Sequence, residues 1–383
     1  MLRAINERTV LERIRAVGPA SRAQIARGTG LSKPTVSQAL QTLERAHLVR
    51  EAGRSSGAKG PTALLYELNP RAGWVVGIDV GRDLVHAVLA DLNGDIVARR
   101  DERAHARSAG ALIAQIGELA HGLAADADLR WRQVTQAAIG SPGVFDPLRD
   151  QVVLAHNLPG WGRPGLVEAL QKELGTNIAF ENDVNLAAVG EQTHGLGKDV
   201  PNFAYLHVGT GVGLGLVLNG ELYRGSRGAA GEVAYLPLTT TDPHEPGSRR
   251  RGALETALGT AGIVATAQRL GMTSSVTPQR VFAAARRGDR TAGRVTSAVA
   301  ERIALTIAAI VPIVDPELVV LGGAIAGNGD LLLDAVDREL HEISPFRPRV
   351  EVSMLGEDAV IRGAVAVALQ AAQEQLFSRT ART

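Results

Sequence analysis

The first fifty residues alternate apolar stripes of helical spacing with short polar turns. The apolar positions of the first predicted helix, residues 3–17, are Ile5, Val10, Leu11, Ile14 and Val17. Gly18-Pro19 ends this helix, and Ser21 is placed to cap a second helix that runs to about Arg27. Ser32 caps a third helix, in which Pro34 is tolerated in the first turn. Because a glycine-containing turn joins the two short helices, the pattern predicts a helix-turn-helix.

The third predicted helix has one apolar and one polar face. Val36, Leu40 and Leu43 share the apolar face and are expected in the core. The polar face and the helix start carry hydroxyl, amide and ammonium groups, which suit hydrogen bonds to base edges and phosphates in a DNA major groove. The candidate DNA-contacting residues of this helix are Ser32, Lys33, Thr35, Ser37, Gln38 and Gln41. The alternative is a three-helix bundle whose outer face is simply polar.

Residues 51–68 have the pattern of a β-hairpin. A short strand leads into the Gly/Ser-rich loop 53–61, and residues 63–68 return as a second strand. A cationic hairpin tip beside a recognition helix is a wing, in which Arg54 and Lys59 would lie against phosphates or enter the minor groove. A solvated linker between domains has the same composition and stays open as the alternative.

Charge separates this N-terminal segment from the rest of the 383-residue chain. Residues 1–70 hold eleven Lys/Arg and five Asp/Glu, whereas the remainder holds thirty and thirty-five, so the segment is +6 and the body −5. A basic module before a mildly acidic body favours contact of the first part with a polyanion. The absence of cysteine from the sequence excludes disulfides, thiolate zinc sites and Cys nucleophiles.

Hydropathy predicts a cytoplasmic protein with no membrane partner. The most apolar run, residues 303–314, has about a dozen residues, whereas a membrane-spanning helix needs ~20. The N-terminal stretch does not resemble a signal peptide. With 45% hydrophobic residues, the chain has enough apolar material for a large core divided over two or three domains.

The body alternates strands with helices, and polar residues follow several of the strands. Predicted strands over residues 74–81, 137–144 and 178–183 lead into Asp, Ser or Asn, at the ends where α/β folds place ligands. Residues 203–208 form another strand, which runs into the glycine-rich turn 209–215. Such a turn brings backbone N–H groups against a phosphate. Helices are predicted over residues 258–270, 278–287, 291–313 and 359–375.

Five segments, taken in order, resemble the ROK family of repressors, open-reading-frame proteins and kinases. They are Gly140-Ser141-Pro142-Gly143, Asn157-Leu158-Pro159-Gly160-Trp161, residues 181–188 (ENDVNLAA), the Gly209–Gly213 loop and Ala229-Ala230-Gly231-Glu232. The resemblance covers essentially the whole chain. It implies an α/β fold with a winged helix-turn-helix at residues 1–70 and a two-lobed actin-like ATPase domain of the ROK sugar kinase type. The implied lobes are 71–185 and 186–365, with a C-terminal helix, 366–383, that packs back on the first lobe.

The resemblance also implies a sugar site between the lobes. Asn182 and Asp183 stand at sugar-binding positions, and Asp183 takes the position of the kinase general base. The further sugar-contacting candidates are Asn157, Glu232, Tyr235 and Glu255. Carboxylates and amides suit a polyol, whose hydroxyls need donors and acceptors once water leaves. Helix capping and buried polar networks are the alternative roles for Asn157, Asn182 and Asp183.

The chain departs from the family pattern at the first phosphate loop. Asp79-Val80-Gly81-Arg82-Asp83 stands where the kinases have Asp-x-Gly-Gly-Thr. The bulky Arg82 hinders close approach of a triphosphate, and the anionic Asp83 repels it. We therefore expect no nucleotide cofactor and no catalytic use of Asp183.

The zinc site of the family is lost as well. Tyr235 replaces the expected His, and Pro246, Ser248 and Ala253 stand at three Cys positions. Structural zinc needs thiolate or imidazole donors, so no metal is expected. Without this staple, residues 242–251 are predicted to form a mobile loop.

These observations predict a DNA-binding transcription regulator rather than an enzyme. The expected partners are a palindromic double-stranded DNA operator, a sugar or sugar phosphate effector, and further copies of the chain in a homodimer or homotetramer. The expected action is repression of genes for carbohydrate uptake or catabolism. Two alternatives stay open, an active ATP-dependent sugar kinase with an appended DNA-binding domain and a regulator that has lost its small-molecule response.

Overall fold

The structure, a computed structural model, describes residues 2–55, 62–105, 107–146, 148–149, 151–155, 158–238, 242, 244–273 and 275–380. Its N-terminal module consists of three helices and a small sheet with the strand order β1-β3-β2. The elements are α1 Leu2–Val17, β1 Ala20–Ser21, α2 Arg22–Thr29, α3 Lys33–Arg45, β2 Val49–Arg54 and β3 Leu64–Leu68. The predicted winged helix-turn-helix is thereby confirmed. The tip of the wing, with Lys59, lies outside the described residues.

Local hydrogen bonds fix the turn between α2 and α3. The Ser21 hydroxyl accepts from the Gln24 amide at 3.4 Å, and the Gln24 side chain accepts from the Ser21 amide at 2.8 Å, which completes a capping box. Gly30 ends α2 with a φ of 72°, a left-handed conformation that glycine adopts without strain. Ser32 caps α3 by accepting from the Thr35 amide at 3.3 Å. These caps were the signals that the sequence offered for both helices.

The first lobe is built on a five-stranded sheet with the order β10-β7-β4-β5-β6. Three antiparallel strands are extended by two parallel ones, and a small hairpin, β8 and β9, stands beside the sheet. The strands are β4 Trp74–Val80, β5 Leu84–Asp91, β6 Ile96–Arg103, β7 Val134–Ser141, β8 Val144–Asp146, β9 Gln151–Val153 and β10 Asn177–Asn182. The helices are α4 Ala109–Asp126 and α5 Leu166–Leu174, and single 3-10 turns stand at Pro70–Ala72 and Trp131–Gln133.

The second lobe repeats this sheet order with β13-β12-β11-β14-β15. The strands are β11 Phe203–Val208, β12 Val212–Leu218, β13 Glu221–Leu222, β14 Leu318–Gly322 and β15 Arg349–Val352. The helices are α7 Pro246–Arg251, α8 Ala253–Leu258, α9 Thr260–Arg269, α10 Pro278–Arg286, α11 Arg290–Val314, α12 Gly323–Ala326 and α13 Gly329–Ile343, and a 3-10 turn spans Val233–Tyr235. Two lobes with one sheet order confirm the predicted actin-like architecture.

One described helix, α11, is long and apolar enough to cross a membrane by length and composition alone. It has 25 residues because the helix extends well before the apolar run 303–314 that the sequence shows. Its buried side chains, among them Val295, Val299, Ile303 and Ile307, belong to the core of the second lobe. These are the contacts of a core helix.

Two further helices, α6 Asp183–His194 and α14 Asp358–Thr380, pack against each other. A Cβ at Gly363 would lie 1.8 Å from the Leu186 carbonyl oxygen, and one at Gly190 would lie 2.1 Å from the Ala359 carbonyl oxygen. Only glycine permits so close an approach of two backbones. The boundary expected between residues 185 and 186 falls inside α6, and the helix expected from residue 366 begins at Asp358 and packs on β4 and β7. The separate prediction of a helix over 359–375 comes within one residue of the observed start, so the bound at 366 placed the start of this helix too late. The bound after residue 185 was misplaced because no glycine or proline between residues 183 and 189 marks the course of α6.

The N-terminal module packs on the end of α14 rather than hanging on a free linker. One hydrophobic cluster includes Ile14 and Tyr66 of the module together with Ala368 and Ala372 of α14. The Arg15 guanidinium also donates a hydrogen bond to the Gln373 side chain. The module and the body therefore share a core.

Candidate functional site: a cleft between two lobes and an exposed recognition helix

A cleft of about 290 Å³ opens between the two lobes at the N-terminus of α6. The first lobe contributes the β4–β5 turn and the residues after β7. The second lobe contributes the glycine-rich turn after β11 and segments 228–235 and 251–255. Five of the six expected sugar-contacting residues line this one cavity, namely Asn182, Asp183, Glu232, Tyr235 and Glu255. Asn157, the sixth, lies outside the described residues.

Asn182 and Asp183 are held by the start of α6. The side-chain oxygen of Asn182, Oδ1, accepts from the backbone amides of Val184 at 2.9 Å and Asn185 at 3.1 Å, so Asn182 is the helix N-cap. Its side-chain nitrogen, Nδ2, donates to the Gly143 carbonyl oxygen at 3.0 Å. Asp183 accepts from the Val184 amide at 2.9 Å. Both side chains line the cleft and also hold the backbone, so the capping role is present and the sugar contact stays a prediction.

Three carboxyl groups gather in the cleft, and burial disfavours the charge of each. Burial, with help from Asp183 and Glu255, raises the pKa of Glu232 to about 7. Burial likewise raises the pKa of Asp183 and of Glu255, although the Val212 amide, which donates to Glu255 at 3.3 Å, opposes the second shift. Behind them, burial and the nearby Asp183 raise the pKa of Asp79 to about 7. Such a cluster offers both donors and acceptors to a polyol.

His207 is a cleft residue that sequence reasoning missed. It stands on β11 and lines the cavity beside Asp183. Burial lowers the pKa of His207, which the Asp183 carboxylate counteracts. Its ring lies between two glycine turns, since a Cβ at Gly209 would be 2.7 Å from Nε2 and one at Gly323 would be 2.9 Å from Cε1. A single histidine in an apolar strand gave no signal of this placement.

Where the family has a zinc site, Tyr235 and the segment after it are held by ordinary hydrogen bonds and packing. Residues 246–251, expected as a mobile loop, form α7, which Pro246 at its start and arginines in its last turn favour. The Tyr235 hydroxyl donates to the Arg250 carbonyl oxygen at 3.1 Å. Tyr235, Pro246, Ser248 and Ala253 provide neither thiolate nor imidazole, so zinc does not fit here. Among the described residues no group of three or more His, Asp or Glu is placed to hold a metal ion.

The β4–β5 turn carries the altered phosphate loop. Gly81 donates to the Leu84 carbonyl oxygen at 2.9 Å, which closes a tight turn. Arg82 donates three hydrogen bonds to the Asp83 carboxylate, at 2.9, 3.2 and 3.3 Å. The Arg82 guanidinium, which could otherwise meet an anion in this loop, is thus already paired with Asp83.

A salt bridge that the sequence did not indicate joins the two lobes. Arg224, after β13, contacts Glu181, at the end of β10, with Nε 2.5 Å from Oε2. Glu181 also accepts from the Asn185 side chain at 2.9 Å, which links the pair to α6. The distance between two strands of different lobes cannot be read from their sequence separation.

The recognition helix α3 presents its polar face to solvent. Ser32, Lys33, Gln38 and Gln41 are exposed, and Thr35 and Ser37 are half-buried. The Ser32 and Thr35 hydroxyls bond each other at 2.8 Å, so both take part in the cap. Val36, Leu40 and Leu43 are fully buried, as the helical spacing predicts. Arg54 is exposed at the end of β2.

Comparisons with known proteins match both parts of the chain. A family model described as the ROK family matches residues 75–371, and one described as the IclR helix-turn-helix domain matches residues 9–53. The chain is 27% identical over 388 residues to a xylose repressor of Caldicellulosiruptor bescii, with 96% of each chain covered. It is 28% identical over 315 residues to a glucokinase of Halalkalibacterium halodurans, with 76% of this chain and 93% of the kinase covered.

A crystal structure supports the same architecture. A ROK family transcriptional regulator, described as a homologue of the E. coli MLC protein, superposes with a TM-score of 0.83 at 21% identity, over 99% of this chain and 98% of that one. At this identity the likeness shows the fold alone. With the family model matching most of its length, the chain belongs to the ROK family, and it carries the N-terminal helix-turn-helix of a DNA-binding regulator.

Proposed function

We propose that this protein is a sugar-responsive transcription repressor of genes for carbohydrate uptake or catabolism, acting in the cytoplasm. One observation carries the proposal: the module with the exposed recognition helix and the body of the chain share a hydrophobic core. The cleft of that body is lined with carboxyl and amide groups. The similarity to a xylose repressor over 96% of both chains supports the same function.

DNA binding is assigned to α3 and the wing. Ser32, Lys33, Thr35, Ser37, Gln38 and Gln41 enter the major groove or hold its phosphates, and Arg54 and Lys59 contact the backbone from the wing. A palindromic operator has two equal half-sites, so the acting species is a homodimer or a homotetramer.

The effector is a sugar or sugar phosphate in the cleft. Its hydroxyls bond Asn182, Asp183, Glu232, Tyr235 and Glu255, with Asn157 as a further contact. Asp183 keeps the general-base position but removes no proton from a sugar hydroxyl in a reaction, because the Arg82–Asp83 pair leaves the β4–β5 turn unsuited to a triphosphate.

Helix α6 gives a physical route from the cleft to the DNA-binding module. Its first turn holds Asn182 and Asp183, and its backbone touches α14 through Gly190 and Gly363. The far end of α14 bonds α1 through Gln373 and Arg15. A sugar that prefers one closure of the lobes shifts these helices and with them the spacing of the two recognition helices in an oligomer.

A second candidate function, an active sugar kinase with an appended DNA-binding domain, is favoured by Asp183 beside the Gly209–Gly213 loop. Relatives of this family include glucokinases, such as the one from Halalkalibacterium halodurans. ATP turnover with a panel of hexoses would support this candidate, and its absence would dismiss it.

The test of the proposed function is a genomic footprint followed by operator gel shifts with a sugar panel, with and without ATP. We expect one sugar to release the DNA without ATP. Release that requires ATP would favour the kinase. Operator binding that no sugar changes would contradict the sugar response while leaving the DNA-binding role intact.

A further inference from the structure

Both loops that could hold a phosphate in the cleft are already bound by carboxylates of the chain itself. In the β4–β5 turn, Asp83 accepts three hydrogen bonds from Arg82. Half of the Arg82 side-chain surface and three quarters of that of Asp83 are exposed, so the pair stands at the mouth of the cleft. A phosphate that approached Arg82 would have to displace Asp83 or lie beside its negative charge.

The glycine-rich turn after β11 is occupied in the same way. The Val212 amide, one of the backbone N–H groups that this turn could offer a phosphate, donates to Glu255 at 3.3 Å. The Gly209 amide donates to the Gly211 carbonyl oxygen at 2.9 Å. A Cβ at Gly211 would lie 2.7 Å from a Glu255 oxygen, so the carboxylate sits directly on the turn.

The remaining charges of the cleft do not favour an anion either. Asp183 and Glu232 bring no positive charge to the cleft, and burial, which lowers the pKa of His207, disfavours the charged form of its ring. The other cation, Arg251, is exposed at the rim, where solvent and salt screen its charge. A bound phosphate would add its negative charge to this partly enclosed group of carboxyls, and its free energy rises with each carboxyl that is ionised.

We infer that the effector of this cleft is an unphosphorylated sugar and that Asp83 and Glu255 exclude the phosphate esters of the same sugars. This inference rests on the proposed function, in which the cleft binds a sugar at all. It narrows the effector class and assigns a specificity-determining role to Asp83, which belongs to the altered phosphate loop.

The experiment is calorimetry and operator release with the full-length protein and matched pairs of ligands. The pairs are glucose, mannose and N-acetylglucosamine, each with its 6-phosphate, and free xylose is added as a pentose. We expect a neutral sugar to bind and the phosphate ester of any binding hexose to bind at least about tenfold more weakly, a difference of about 1.4 kcal/mol. A 6-phosphate that binds as tightly as its parent sugar would overturn the inference and leave the proposed function standing. If neither member of any pair nor xylose binds or releases DNA, the sugar response fails and the inference fails with it.

Asp83→Asn tests the role of the carboxylate. It frees Arg82 and removes one negative charge, so the affinity for the 6-phosphates should rise about fivefold or more, a modest factor because the site is exposed to solvent. The control is Asp126→Asn, which breaks an equivalent bidentate pair with Arg100 on the surface of the first lobe, with distances of 2.7 and 2.8 Å. Equal ligand selectivity in wild type, Asp83→Asn and Asp126→Asn would refute the assignment to Asp83.

Discussion

The recognition helix and the cleft place their polar side chains in opposite situations. Within the described part of the chain, no hydrogen bond engages the side chains of Lys33, Gln38 or Gln41, which point into solvent. In the cleft, Asn182 caps a helix and Glu255 holds a backbone amide. A polar residue on the DNA face can therefore serve a partner alone, whereas a polar residue in the cleft that binds the proposed ligand also holds the fold. Substitutions should separate binding from stability in the first region and not in the second.

The largest expected effect is on the DNA face. Replacing Gln38 and Gln41 together by alanine removes two side chains that can read base edges, each worth about 1–3 kcal/mol of discrimination. Operator preference should fall by about a hundredfold or more, while salt-sensitive binding to unrelated DNA persists. Gel shifts on operator and scrambled DNA measure the difference, and the thermal midpoint should stay unchanged. Unchanged operator preference would show that α3 does not read the operator.

Changing the contact between α6 and α14 should uncouple sugar binding in the cleft from release of the DNA. Gly363→Ala places a methyl group against the Leu186 carbonyl oxygen, so the helices must separate, at a stability cost of about 1–3 kcal/mol. We expect operator binding and sugar binding to survive while sugar no longer releases the DNA. Matched controls are Gly110→Ala in α4 and Gly293→Ala in α11, where an added Cβ meets nothing within 4 Å.

A folding defect in Gly363→Ala would not end this test, because Arg15→Ala weakens the contact between α14 and α1 at the other end of the route. That substitution removes the hydrogen bond to Gln373 without touching α6 or the cleft. Sugar release that stays complete in both variants would contradict the route through α14.

The dual role of cleft residues is tested by Asn182→Ala. The substitution removes an N-cap and the bond to Gly143, so the free energy of unfolding should fall by about 1–3 kcal/mol and sugar affinity should fall as well. Asn69→Ala is the matched control, since Asn69 caps the turn at Pro70–Ala72 and donates to the His47 carbonyl oxygen at 2.8 Å. It should cost comparable stability and leave calorimetric sugar binding unchanged. Loss of sugar affinity without loss of stability would assign Asn182 to ligand alone.

How much the sequence could predict follows the same division. Caps such as Ser21 and Ser32 and the stripe of Val36, Leu40 and Leu43 act within a few residues, so the helix-turn-helix was readable in detail. The cleft depends on chain segments that are distant in sequence. That His207 lies beside Asp183, and Gly363 against Leu186, follows from the packing of whole helices and strands, which no local spacing encodes. The helix over 246–251 was missed because Pro246 and Gly247 are typical of loops when their neighbours are unknown.

A smaller effect concerns the acid cluster and pH. The pKa of Glu232 is about 7 in the folded chain and ordinarily 4.5, so the folded state holds a proton that the unfolded state releases between these values. This contribution to stability is full below 4.5 and is lost as the pH rises through 7. Glu232→Gln lacks the ionising group, so relative to wild type its stability should be greater at pH 8 than at pH 5 by about 1–2 kcal/mol. Denaturant unfolding at both pH values measures this, with the exposed Glu118→Gln on α4 as control. A pH-independent difference would mean that solvent reaches Glu232 and that its pKa is not raised in the folded chain.

The smallest expected effect concerns the wing, whose role in DNA binding should differ from that of α3. Arg54 stands on the wing, away from the polar face of α3, and a guanidinium there meets the phosphate backbone, which carries no base identity. Arg54→Ala should weaken binding to operator and to scrambled DNA by the same factor, and lower the slope of log affinity against log salt by about 1. The exposed Arg338→Ala on α13 lies on the second lobe and should leave both affinities unchanged. A loss confined to the operator would place Arg54 on a base edge in the minor groove, and the wing would then share sequence readout with α3.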